Sequence, residues 1–140
     1  MKYLFILACA FNAHAALTGV SCNSNVDYFY HSAYYKYHVN ISFTDKNHGL
    51  FSYSFMQKED GVLYEQGKVF FHYVTLPNSE WLNLTTDIQQ KYCSSTSKKT
   101  INSSLLTCKT ENIILKTTQL ENAIRFVSKN GTMFICVQPP

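Results

Sequence analysis

Cysteines are the side chains of this sequence with the most definite chemistry. The chain has five, and four of them follow an N-terminal segment typical of an export signal. An even number of cysteines in an exported chain predicts disulfides, and four cysteines allow three connectivities. We favour Cys22 with Cys136, which ties the ends of the domain together, and Cys93 with Cys108, which closes one hairpin or loop. Zinc is a poor alternative, because there is no C-x-x-C pair and no His at ligand spacing from a Cys.

Catalytic chemistry has no recognisable basis in this sequence. The motifs G-x-S-x-G, H-E-x-x-H, G-x-G-x-x-G and the P-loop are all missing, and Glu59-Asp60 reads as a turn and not as an acid–base pair. We therefore expect a protein that is not an enzyme and needs no cofactor or metal. Histidine changes charge near neutral pH, so His38 and His72 are candidates for pH sensing. A solvated surface side chain is the simpler interpretation.

Four N-x-S/T sequons leave open a secreted glycoprotein of eukaryotic or viral origin. The asparagines are Asn40, Asn83, Asn102 and Asn130.

Nucleic-acid binding is not expected, because the net charge is only +3, the lysines are scattered and Arg125 is the one arginine.

Aromatic residues are the second candidate set, since the chain has ten Tyr and ten Phe. Several alternate with polar residues, so they share one face of a strand. They are either core or the lining of an apolar pocket or interface in which phenol hydroxyls orient a ligand. The candidates are Tyr35, Tyr37, Phe43, Phe51, Tyr53 and Phe55.

Strands are the elements that position these residues. Strict alternation over Tyr35–Thr44 and Leu50–Met56 predicts half-buried antiparallel strands. Asn130-Gly131 predicts a hairpin with a type I′ turn. Only Val26–Tyr34 and Asp87–Cys93 are helix candidates. Further strands are predicted over Val62–Tyr64, Lys68–Leu76 (with a bulge near Gly67), Trp81–Ile88, Glu111–Thr117, Ala123–Ser128 and Met133–Val137. This all-β pattern favours a small antiparallel up-and-down barrel or half-barrel, lipocalin-like, with a β-sandwich as the alternative.

The N-terminus predicts export. Lys2, an apolar run over Tyr3–Phe11 and Ala13-His14-Ala15 are typical of a signal peptide of residues 1–15, with cleavage before Ala16. The alternative is an uncleaved membrane anchor that runs to about residue 20. Residues 16–140 are then one exported β domain, either periplasmic or associated with the inner membrane, or alternatively secreted.

Five segments in order carry a resemblance to a known group of proteins: Ser21-Cys22, Tyr37–Phe43, Gly49–Phe55, Gly67–Tyr73 and Gly131–Cys136. Together they resemble the FidL-like proteins and, more loosely, the ToxS, TcpH and PsaF type of accessory protein. These are small bacterial envelope proteins that accompany a membrane-bound, ToxR-like transcription regulator. Two features depart from the group: the N-terminal segment looks cleavable, and one cysteine pair, Cys93 and Cys108, is extra.

The resemblance implies a non-enzymatic periplasmic accessory protein. Such a protein would bind the regulator's periplasmic domain, stabilise or tune it, and share a β-barrel that holds a small amphipathic ligand such as a bile salt. A small barrel with too few strands would leave an open edge for a partner strand. The alternative is a secreted glycoprotein or virulence factor that binds a host receptor.

Overall fold

The fold is a closed antiparallel β-barrel. The structure is a computed structural model, and it describes residues 17–30, 32–95 and 105–139. Within these residues the strands are β1 (Ser21–Tyr30), β2 (Ala33–Phe43), β3 (His48–Gln57), β4 (Leu63–Thr75), β5 (Trp81–Ser95), β6 (Asn112–Gln119), β7 (Ala123–Ser128) and β8 (Gly131–Val137). Each strand pairs with the next in sequence, and β8 returns to β1.

This topology confirms the predicted up-and-down barrel. The half-barrel and the β-sandwich are wrong, and so is the expectation of an open edge, because β8 pairs with β1 and closes the sheet on itself.

The signal peptide predicted for residues 1–15 and the sequon at Asn102 lie outside the described residues. In the part of the chain that is described, no helix has the length and apolar character needed to cross a membrane.

Alternation along β2 shows why these residues form a barrel. Tyr37, Val39 and Ile41 are fully buried, while the residues between them face outward. Side chains on successive strands then meet inside: Tyr37 lies opposite Phe55 on β3, and their ring centroids are 4.8 Å apart. The interior is therefore a continuous aromatic and aliphatic core, which burial of apolar area stabilises.

The two helix candidates are wrong. Val26–Tyr34 covers the end of β1 and the start of β2, where an antiparallel register is kept up to Tyr30 opposite Ala33. Asp87–Cys93 lies inside β5, where the pairing with β4 shifts register between Val69 and Phe71. The shift makes a bulge in β5 that breaks the strict alternation, so the sequence pattern is lost although the strand continues.

The β7–β8 hairpin is where the sequence places it, but its turn differs from the prediction. Ser128 pairs with Gly131, so Lys129 and Asn130 form the loop. Among the described residues a positive φ is found at Gly131, at +115°, and not at Asn130, which rules out type I′. A register shift between Phe126 and Val127 follows, and it makes Met133 the extra residue of a bulge in β8.

The seam between β1 and β8 closes the barrel with little backbone pairing. Asn23 and Val137 form its one register pair within the described residues. Beside that pair lies the Cys22–Cys136 disulfide, with its Cα atoms 5.3 Å apart and both side chains fully buried. The buried hydroxyl of Ser24 also donates to the carbonyl oxygen of Ile135 at 2.6 Å. Side-chain links thus supply much of the closure.

Candidate functional site

A segment between β5 and β6 folds into one end of the barrel. We call Leu105–Cys108 the plug, since all four residues are buried and Leu106 is fully so. Two core tyrosines hold its backbone. The Tyr37 hydroxyl donates to the Leu106 carbonyl oxygen at 2.8 Å, and the Cys108 N–H donates to the Tyr53 hydroxyl oxygen at 2.9 Å. Buried backbone groups of this irregular segment are thereby satisfied by side chains of the barrel wall.

The plug is also fixed at its C-terminal end. The Cys93–Cys108 disulfide joins it to β5, and the Lys91 ammonium donates to the Cys108 carbonyl oxygen at 3.1 Å. Gly67 on β4 makes room, because a Cβ there would collide with the Cys108 sulfur and the Tyr53 ring. Gly67 itself pairs with Tyr53 on β3 and Cys93 on β5, and the predicted irregularity of β4 lies on either side of it. Tyr64 is an extra residue between the partners of Phe55 and Met56, and the pairing with β5 shifts between Val69 and Phe71.

The six aromatic candidates all lie inside the barrel. Each is less than 10 % exposed, and their rings contact one another. The centroid of the Tyr53 ring lies 6.2 Å from the ring centroids of both Tyr37 and Phe55. The core interpretation therefore describes all six residues: Tyr35, Tyr37, Phe43, Phe51, Tyr53 and Phe55. The hydroxyls of Tyr37 and Tyr53 bond to the plug and not to a ligand. Among the six, Tyr53 also borders a depression that crosses β3, β4 and β5.

Burial also governs the ionisation of these phenols. Desolvation raises the pKa of Tyr37 well above its usual value, assisted by nearby Tyr53 and opposed by the hydrogen bond to Leu106. Desolvation likewise raises the pKa of Tyr53, which donates to the Glu65 carboxylate at 2.6 Å. Both hydroxyls are neutral donors at physiological pH, so they serve the structure and are poorly suited to act as bases or nucleophiles.

The histidine candidates are separated on the outer surface. On β2, the His38 ring Nδ1 lies 2.8 Å from the Asn25 side-chain oxygen. His72 lies on β4, exposed and opposite His48 on β3. His48 contacts Asp45 at 3.0 Å in an exposed pair. Hydrogen bonds from the Asn47 backbone and from His48 lower the pKa of Asp45. No single site unites His38 with His72.

The sequons in the described residues differ in accessibility. Asn130 is exposed in the β7–β8 turn. Asn40 is half-buried, and its amide donates to the Asn23 side-chain oxygen at 2.7 Å. Asn83 is half-buried as well, and its side-chain oxygen is buried without a hydrogen-bond partner among the described residues. Asn130 is therefore the sequon best placed to carry a glycan.

An exposed apolar surface lies at the plugged end of the barrel. We call it the aromatic end: Phe29, Tyr34, Met56 and Val62, which are 60 %, 51 %, 37 % and 47 % exposed. The rings of Phe29 and Tyr34 pack with centroids 4.8 Å apart across the β1–β2 hairpin. The β3–β4 turn is held beside them, because the Lys58 N–H donates to the Tyr34 carbonyl oxygen at 2.9 Å.

Sequence reasoning missed both the plug and the aromatic end. The one signal for the plug was Leu105-Leu106 close to a cysteine after a polar stretch. Of the aromatic end, Phe29 and Tyr34 fell in a helix candidate, while Met56 and Val62 fell in separate predicted strands. Within the described residues, no group of three or more His, Cys, Asp or Glu side chains is arranged to hold a metal ion.

The two disulfides indicate folding in an oxidising, exported compartment. No protein-family model matches the sequence, and no curated protein is significantly similar to it.

Proposed function

We propose that this chain is a non-enzymatic accessory protein of the cell envelope that docks a partner protein through the aromatic end. The observation that carries the proposal is the exposed Phe29–Tyr34 pair. The two rings contact each other at a tilt of 48°, so each restricts the other before a partner binds. Aromatic side chains also dominate the energetic centres of protein interfaces. Met56 and Val62 extend the apolar area, and the ion pair of Lys58 with Asp27 at 3.1 Å supplies a polar rim.

The position of the aromatic end suits a partner that lies away from the N-terminus. Leu17 is buried at the opposite end of the barrel, where the Gly19 N–H donates to the Phe43 carbonyl oxygen at 2.7 Å. Phe29 lies at the far end of β1, near the turn to β2. The aromatic end therefore points away from Leu17, the first described residue.

The partner we propose, from the resemblance, is the periplasmic domain of a ToxR-like regulator. Because the chain closes its own barrel, docking would use the outer surface and would need no partner strand. A small amphipathic ligand would then be held between the two proteins and not inside this barrel. The alternative of a secreted glycoprotein that binds a host receptor would use the same surface with a different partner.

Association with the regulator tests the proposal. The full chain is co-expressed in the envelope with a ToxR-like regulator from the same genome, and the complex is measured by co-purification. Phe29→Ser with Tyr34→Ser should reduce recovery at least about tenfold, as for loss of an interface centre. The matched control is Val74→Ser with Ile135→Ser, two residues of similar exposure elsewhere on the barrel.

Two results would contradict the proposal. One is equal loss of complex in the test and control variants. That result would mean that any exposed apolar residues of the barrel contribute to binding, and not the aromatic end in particular. The other is a protein that recovers no regulator and carries a glycan at Asn130 in its native host. That outcome would favour the secreted glycoprotein.

A further inference from the structure

A second surface, distinct from the aromatic end, forms a depression on the outer wall of the barrel. It crosses β3, β4 and β5, has a volume of about 370 Å³, and is lined by Ser52, Tyr53, Gln66, Gly67, Lys68, Tyr92, Cys93 and Ser94. That volume lies in the range of small-molecule sites, about 300–1,000 Å³. Strand register organises its outward side chains in two rows. Ser52, Lys68 and Tyr92 are neighbours across three strands, and Gln66 pairs with Ser94 beside them.

Four polar side chains of this depression have no hydrogen-bond partner in the described part of the chain. Within the described residues, no hydrogen bond or ion pair engages the side chains of Ser52, Gln66, Lys68 or Ser94. Lys68 has only a ring contact, its ammonium 5.5 Å from the centroid of Phe70. Four groups that could donate or accept hydrogen bonds therefore converge unused on one depression.

The neighbouring part of the same wall provides a contrast. On β1 and β2 the outward polar side chains satisfy one another: Asn40 donates to Asn23, and His38 lies 2.8 Å from Asn25. Those pairs occupy the same two cross-strand rows as the depression, one or two strands away. The unused groups are thus a local feature of β3–β5 and not a general property of the surface.

Tyr92 adds an exposed aromatic face. It is 72 % exposed and borders the depression directly opposite Lys68 on β4. The β4–β5 pairing and the adjacent Cys93–Cys108 disulfide hold its backbone in place. A ring that is fixed at its base and open on its face can stack on the apolar face of a ligand at little entropic cost.

We propose that this depression binds an acidic saccharide. A pyranose ring presents a C–H face that stacks on a tyrosine ring and hydroxyls that bond to amide and hydroxyl side chains. Gln66, Ser52 and Ser94 supply those amide and hydroxyl groups, and Lys68 supplies one charge-assisted contact for a sugar carboxylate. A nucleic acid would require a cluster of basic residues, whereas Lys68 is the single charged residue among those lining the depression.

The test measures binding of a defined probe to the full-length chain. The probe is a tetrasaccharide that contains glucuronate, compared with the same tetrasaccharide after reduction of its carboxylates to alcohols. Titrations followed by amide chemical shifts should locate perturbations on β3–β5. Tyr92→Ala should weaken binding about tenfold through loss of stacking, and Tyr92→Phe should retain it. Lys68→Gln should remove a preference of about fivefold for the acidic probe, the scale of one exposed ion pair.

A matched control separates the site from general surface effects. Ile88→Ala changes a side chain of β5 that is 69 % exposed and does not line the depression, so binding should be unchanged. The proposal is overturned if the acidic probe causes no shifts at millimolar concentration. It is also overturned if Tyr92→Ala binds as well as the parent chain. Equal affinity for the acidic and reduced probes would refute the assignment of Lys68 to a carboxylate.

Discussion

Loss of the Cys22–Cys136 disulfide should destabilise this domain more than loss of the Cys93–Cys108 disulfide. The bridge spans 114 residues, whereas Cys93–Cys108 spans 15. On the chain-entropy account, constraining the unfolded chain over these separations is worth about 4.8 and about 3.0 kcal/mol. The structure adds to the difference, since Asn23 and Val137 are the one register pair that joins β1 to β8 in the described residues. A small domain is stable by only about 5–15 kcal/mol, so Cys22→Ala with Cys136→Ala should remove a large share of that margin.

Two measurements check this ranking. Guanidinium unfolding, followed by circular dichroism, gives the free energy of unfolding for each double alanine variant under identical conditions. Hydrogen exchange then locates the change. The Cys22/Cys136 variant should lose amide protection first in β1 and β8, while Cys93→Ala with Cys108→Ala should free the plug and leave the seam protected. The reasoning is refuted if the Cys93/Cys108 variant is destabilised as much as or more than the Cys22/Cys136 variant.

Three further outcomes are expected. Gly131→Val should cost about 1–3 kcal/mol because a β-branched residue resists its φ of +115°, and a thermal melt unchanged from the parent would contradict this. Tyr53→Phe should cost about 2–4 kcal/mol in chemical unfolding, since the Cys108 N–H and the Glu65 carboxylate each lose a partner; a loss under about 1 kcal/mol would show that water replaces the hydroxyl. Stability should fall above about pH 10, because the unfolded tyrosines ionise there while Tyr37 and Tyr53, whose pKa values burial raises, stay neutral in the fold. Absorbance titration should show that these phenols ionise only as the protein unfolds, and reversible ionisation of every tyrosine in a folded barrel would contradict it.

The sequence predicts this fold in the segments where each residue faces either the core or the solvent. In β2 and β3, alternate residues face the core or the solvent, so period-two patterning identifies the strands and the barrel class. The pattern fails in β5, where a bulge interrupts the alternation, and in β1, where Val26 and Tyr28 are only partly buried and Phe29 is exposed. A bulge depends on the partner strand, which no local window contains.

The candidate site was harder to predict than the fold, for a related reason. The sequence includes Tyr37 and Tyr53 among six aromatic candidates, but it does not show whether a ligand or another part of the chain is the partner of their hydroxyls. The structure supplies that partner in Leu106 and Cys108. Both disulfides join the cysteines that we favoured, although the sequence left three connectivities open. The Cys93–Cys108 disulfide anchors the plug, and the spacing of the cysteines in the sequence does not show this role.

The plug changes where function has to be sought in this barrel. Small barrels bind ligands inside when the interior is left unfilled. Here the residues that would line such an interior pack against one another, and the Tyr37 and Tyr53 hydroxyls are bonded to the plug. Opening the interior would break those two buried hydrogen bonds and expose Leu106, and the Cys93–Cys108 disulfide opposes it. Recognition is therefore best placed on the outer surface, where the aromatic end and the β3–β5 depression present groups that the fold itself does not use.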